Sequence, residues 1–186
     1  PGLLGGPARS GQGVLGRAVP ALARLVEGGA RPLGDLGEQA GLEPGGCGEA
    51  WNIDNAEKML SIQRAYVEAG SDCLITNTFG GSRIMLDRYD EGERSREINR
   101  AGAEIARRAF GERGGYVLGD IGPFGGLMEP YGDIAPDSVV AAFTEQAESL
   151  VAGGVDAIII ETQTSLDELG IAIRVAKGAG APCVIG

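Results

Sequence analysis

Histidine is absent from the whole chain of 186 residues. Any acid–base or nucleophilic chemistry must therefore use carboxylates, cysteines, hydroxyls or a cofactor. Cysteine is scarce. Cys47, Cys73 and Cys183 are far apart and form no CxxC pair. An odd count at such spacing gives no disulfide framework, which points to a reducing, cytoplasmic setting. Cys73 and Cys183 read as small buried apolar residues of strands, and Cys47 as a loop residue. Basic residues are outnumbered, with Lys+Arg 16 against Asp+Glu 26 and a net charge of -10. That balance argues against a nucleic-acid surface, which needs a basic stripe. No apolar run approaches a membrane span. No GxGxxG or GxxxxGK[ST] phosphate turn stands in place after a first strand, where a doubly wound sheet often carries one.

What is present becomes orderly only partway along. Residues 1–30 form a poorly patterned lead-in, with "ALARLVEGG" (21–29) as a short helix candidate. From residue 51 the periods sharpen. Asp54 or Asn55 is placed to cap a helix whose Met59, Ile62, Tyr66 and Val67 recur at helical spacing, and Gly70 ends it. "DCLITN" (72–77) is a short apolar strand. The segment 94–111 is an amphipathic helix with Ile98, Ala101, Ile105 and Ala109 on one face. "YVLGD" (116–120) is a strand, and 137–154 a helix with an Asp or Ser cap and a Gly stop. "VDAIIIE" (155–161) is a strand, 165–180 a helix, and "PCVIG" starts another strand. A further strand is placed near 30–36. Strands that are continuously apolar and alternate with helices indicate a parallel sheet covered on both faces.

The chain also repeats itself. "VEAGSDCLITNTF" and "VAGGVDAIIIETQT" share a helix end, a glycine, an aspartate, an apolar strand and a threonine. Aligning Asp72 with Asp156 sets Asn77 against Glu161 and Thr78 against Thr162. Self-similar βα units imply a (βα)8 barrel, the TIM-barrel architecture, with its site at the C-terminal ends of the strands. An open doubly wound sheet is the alternative. Such barrels run to about 250 residues, so the chain is expected to stop after about the fifth strand.

Glu161 ends an isoleucine run where a barrel strand meets its mouth. A carboxylate there stays ionised only beside a cation or water. Its counter-ion is either a protein Arg or Lys or the ammonium group of a substrate. Asn77 and Thr78 end the preceding repeat and serve either the site or local capping. Phe79 is a pocket wall or core, with core favoured. Asp120 lies in "VLGDIGPFGG", where it either bonds the turn's N–H groups or serves the site. Glu129 lies on a long loop over the same face and reads as solvated.

Together, "PGGCGEAWN", "AYVEAGSDCLITNTFGGSRIMLDRY", "EINRAGAEIAR", "GDIGPFGGLMEPYGD" and "GGVDAIIIETQTSLDE" resemble the homocysteine S-methyltransferase family over about residues 42–186. The resemblance implies a barrel over 31–186 that transfers a methyl group to the zinc-activated thiol of homocysteine, forming methionine. It implies Glu161 as the holder of the substrate amino group. Asn77, Thr78, Phe79 and Asp120 are placed beside the pocket. The family's Asp-Gly-x-x-Gly-Thr loop is replaced here by "ARPLGDLGEQAG", where Gly34 stands as its remnant and Asp35 aligns with its aspartate in only one of two registers. The family's zinc ligands are cysteines of the second half of the barrel, so none of the three cysteines here is assigned to zinc. The expected chain thus carries only the amino-group side of the site. Methylcobalamin is one methyl donor the resemblance implies, with a cobalamin domain of a larger protein as partner. Two rival readings are a phosphate-binding barrel lyase or isomerase and an inactive truncated remnant.

Overall fold

The alternation of apolar runs and amphipathic segments folds into one sheet with its crossover helices. The structure, a computed structural model, describes residues 41–186. The helix expected at 21–29, the strand near 30–36 and Gly34 lie outside them. In chain order the regular elements are α1 (Trp51–Asp54), α2 (Ala56–Glu68), β1 (Cys73–Ile75), α3 (Arg83–Leu86), α4 (Ser95–Phe110), β2 (Tyr116–Ile121), α5 (Pro136–Ala152), β3 (Ala157–Ile160), α6 (Leu166–Gly178) and β4 (Val184–Ile185). The four strands form one sheet in the order β1-β2-β3-β4, and every pairing is parallel. Strands adjacent in sequence are thus adjacent in space. A doubly wound sheet reverses direction at a switch point. Here the order advances one way, as the wall of a barrel does.

The uninterrupted apolar strands are explained by two buried faces. Leu74, Val117, Ile121, Ile158 and Ile160 meet Phe110, Phe143, Leu150 and Ile171 of the helices in the main core. Residues of the opposite parity form a second cluster: Cys73, Leu118 and Ala157 are buried, with Ile75, Tyr116, Ile159, Cys183 and Ile185 packed around them. Among the described residues no helical side chain joins that cluster. Within the described residues, no helix is long and apolar enough to cross a membrane.

Element ends differ from the sequence reading in instructive ways. Asn55 does occupy the cap position of α2, but its side chain makes no capping bond, and the extra turn α1 precedes it. The Asp or Ser cap expected for α5 is replaced by Ala135 followed by Pro136 at the first position. Proline suits that position because its missing N–H would have had no helical partner. Ser165 caps α6 by accepting from the Glu168 N–H at 3.4 Å. The short α3, capped by Ser82, had no sequence expectation. The repeated aspartates do matching work at the base of the strands. Arg113 holds Asp72 at 2.8 Å and Arg107 holds Asp156 at 2.6 Å.

Candidate functional site

Strand parity brings the chemistry together. Tyr116 and Leu118, Ala157 and Ile159, face away from the helices. Two more residues along each strand, the same parity carries Asp120 and Glu161 to the C-terminal edge. The ladder continues to that edge, since the Glu161 N–H donates to the Ile121 carbonyl at 3.1 Å. Asp120 is 4 % exposed. Glu161 is partly exposed. A third carboxylate, Glu49, comes from the turn before α1 and accepts from the Gly80 N–H at 2.8 Å.

Burial pushes the Asp120 carboxyl well above its usual range. The Glu161 carboxylate, within hydrogen-bonding reach, adds to the shift, as does the more remote charge of Glu49, while the Ile121 N–H opposes it. Asp120 Oδ1 is buried and has no hydrogen-bond partner. Among the described residues no arginine or lysine forms an ion pair with Glu161.

A polar scaffold behind the sheet fixes this edge. Past the end of β1 the ladder is continued by side chains. Thr76 Oγ1 accepts from the Asp120 N–H at 2.9 Å, and Thr78 Oγ1 donates to the Asp120 carbonyl at 2.8 Å. The two hydroxyls are 2.6 Å apart. Gln146 of α5 donates to the Thr78 carbonyl at 2.8 Å and to the Asp120 carbonyl at 3.3 Å. Thr78 is therefore wholly buried, and its hydroxyl is spent on β2. Asn77 uses its amide group on the Gly48 carbonyl at 2.8 Å and Asn52 Oδ1 at 3.2 Å, which anchors the turn that carries Glu49.

Phe79 is not core, contrary to the favoured reading. It is 38 % exposed, and its ring lies so close over Gly122 that a Cβ there would fall 2.7 Å from it. Gly122, the first residue past β2, leaves room for the ring. Glu129 is exposed on its loop, as read from the sequence. Gly34, expected at the site, lies outside the described residues. Thr162, just after Glu161, has a φ of 58, a conformation costly for a β-branched residue. Gln163 donates back to the Glu161 carbonyl at 3.4 Å.

Sequence reasoning missed Glu49 and Glu168. Glu168 is 4 % exposed and accepts from the Phe124 N–H at 2.7 Å, tying the loop after β2 to the first turn of α6. Burial raises its pKa, and that N–H partly offsets the shift. The Ser165–Glu168 spacing is that of a capping box. Its glutamate, however, reaches across to another loop rather than back to the cap.

The described residues do not build a zinc centre. No three or more Cys, Asp or Glu side chains among them are placed to hold a metal ion. Burial pushes the Cys47 and Cys73 thiols up to about 11, which keeps both protonated at neutral pH. A cavity of about 540 Å³ opens elsewhere, beside α1, lined by Trp51, Lys58 and Tyr89.

This parallel wall has counterparts among known proteins. The metallated form of the homocysteine methyltransferase MmuM from Escherichia coli superposes with a TM-score of 0.70 at 18% identity, covering 82% of this chain and 59% of that one. That likeness concerns the fold. Methionine synthase of Mycobacterium tuberculosis (strain ATCC 25618 / H37Rv) is 38% identical over 149 residues, 77% of this chain. Methionine synthase of Mycobacterium leprae (strain TN) is 36% identical over 149 residues. The chain spans 12% of the length of each of these relatives. The family model for homocysteine S-methyltransferase matches residues 24–186, and the chain belongs to that family.

Proposed function

We propose that this domain binds homocysteine at the C-terminal edge of its sheet, with Glu161 accepting hydrogen bonds from the substrate ammonium group. The sulfur of the bound molecule then takes a methyl group, losing its proton and giving methionine. The observation that carries this reading is a partly exposed carboxylate with no arginine or lysine paired to it among the described residues, held at a barrel edge by its own backbone bond. An anion so placed suits an external cation better than an internal one. Family membership supplies the substrate class.

The neighbouring residues take graded roles in this reading. Phe79 is an exposed wall of the pocket. Asn77 and Thr78 act at one remove, by fixing the Glu49 turn and the end of β2. Asp120 lies against Glu161 itself. Any zinc that activates the thiol draws its ligands from outside the described residues. Methylcobalamin, presented by another domain of a longer protein, is the donor that best suits the likeness to methionine synthases.

Titration of the intact protein with L-homocysteine tests the assignment. A hydrogen bond to a charged group is worth about 1.5–3 kcal/mol, so Glu161→Gln is expected to weaken binding roughly 10- to 150-fold. Unchanged affinity in a folded variant would remove Glu161 from the site.

A further inference from the structure

The carboxyl of Asp120 has a neighbourhood that its fold does not require. Its backbone N–H and carbonyl are satisfied by Thr76, Thr78 and Gln146, all from the scaffold side. The side chain points away from these partners. It is buried at 4 % exposure, with Oδ1 unpartnered, and the charged groups acting on it are both acids, Glu161 and Glu49. Glu49 already accepts from the Gly80 N–H and the Cys47 thiol. Of the other elements packed at this edge, β1 is followed by uncharged Asn77 and Thr78, α5 presents Gln146, and the Glu168 of α6 is bound to the Phe124 N–H. Two ionised carboxylates so close, with no cation paired to either among the described residues, repel strongly. A proton on Asp120 removes that cost.

We propose that Asp120 holds a proton in the free protein and releases it when the primary ammonium group of an α-amino acid binds beside Glu161. This rests on the assignment of Glu161 to the substrate ammonium and adds Asp120 as a second acceptor for it. The exchange balances. The protonated pair carries one negative charge. After binding, two carboxylates and one ammonium again sum to one negative charge, and the proton passes to solvent. An ammonium brings three N–H donors, enough for the orphaned Asp120 Oδ1 and for Glu161 with one to spare. A desamino thiol acid could not drive the exchange, so the pair selects for the amino group. The raised pKa of Asp120 agrees with a proton held in the free state.

Calorimetry on the intact protein decides the matter. L-Norleucine is the probe, because it carries the ammonium group but no thiol proton. Titrations in two buffers of different ionisation enthalpy, near neutral pH, give the protons released. Wild type is expected to release close to one proton per ligand, with affinity rising up to about tenfold per pH unit. Asp120→Asn is expected to bind with no proton released and with a flat pH profile. Binding to wild type without proton release, or release that persists in Asp120→Asn, overturns the exchange while leaving Glu161 in place. If neither norleucine nor homocysteine binds the wild type, both readings fall together. Should Asp120→Asn not fold, infrared difference spectra of wild type serve instead. Loss of a protonated-carboxyl stretch on binding is expected, and its persistence overturns the proposal.

Discussion

A single side chain can carry a cost that the rest of the molecule must offset, and Asp120 is the case here. In the unfolded chain its carboxyl ionises near 3.8; folding raises that value well above. The folded state therefore holds the proton more tightly, and the stability it confers is lost as pH rises from the unfolded value towards the folded one. Asp120→Asn removes this dependence. Its melting temperature relative to wild type should climb from about pH 4 towards neutrality, by at most about 1.4 kcal/mol of stability per pH unit. Thermal melts at several pH values check this, and a constant difference between the proteins would refute it. Gly81 shows the opposite sensitivity, to volume. A Cβ there would stand 2.3 Å from Asn99 Oδ1 and 2.9 Å from the Thr78 carbonyl, in a wholly buried network. Gly81→Ala should cost about 1–3 kcal/mol in denaturant unfolding, the usual range for overpacking. Neither effect is visible in the local sequence. "GGSR" reads as a turn, and "GDIG" as another, until their neighbours in space are known.

Among the elements, the joints carry more information than the strands. The strand centres followed from their apolar runs because burial on two faces admits little else. The joints did not, because they depend on side chains that meet from distant segments. Glu168 is the clearest example. Its Ser-x-x-Glu spacing is local, yet its carboxylate crosses to the Phe124 N–H. Glu168→Ala should leave that buried N–H unpaired at a cost of about 1–3 kcal/mol. Hydrogen exchange at the Phe124 amide should speed up, with Glu168→Gln in between. Equal exchange in all three proteins would mean that the loop is held by other contacts. The bidentate bonds from Arg83 to Glu145, both 2.9 Å, join α3 to α5 in the same way. They too arise from an element the sequence pattern did not show.

At the scale of the whole molecule, β1 and β4 are the outer strands of the sheet among the described residues, each paired on one side. Unpaired strand edges promote association. The polypeptide of 186 residues is expected to scatter light as a concentration-dependent oligomer. A compact monomer at every concentration would contradict that expectation. The sequence by itself determined the alternation of the longer helices with apolar strands, the parallel sheet and the polar residues that close the runs 72–77, 116–120 and 155–161, because apolar periodicity and helix-stop glycines are properties of neighbours along the chain. It also carried the family, through motifs spread over most of its length. Only the tertiary structure decided which polar ends share a site. It turned Thr78 inward to the backbone, brought Phe79 out over Gly122, and set Asp120 under the charges of Glu161 and Glu49 with no ion-paired cation among the described residues. Those choices depend on strand register and crossover packing, which fix distances between residues far apart in sequence, and electrostatics responds to distance in space alone.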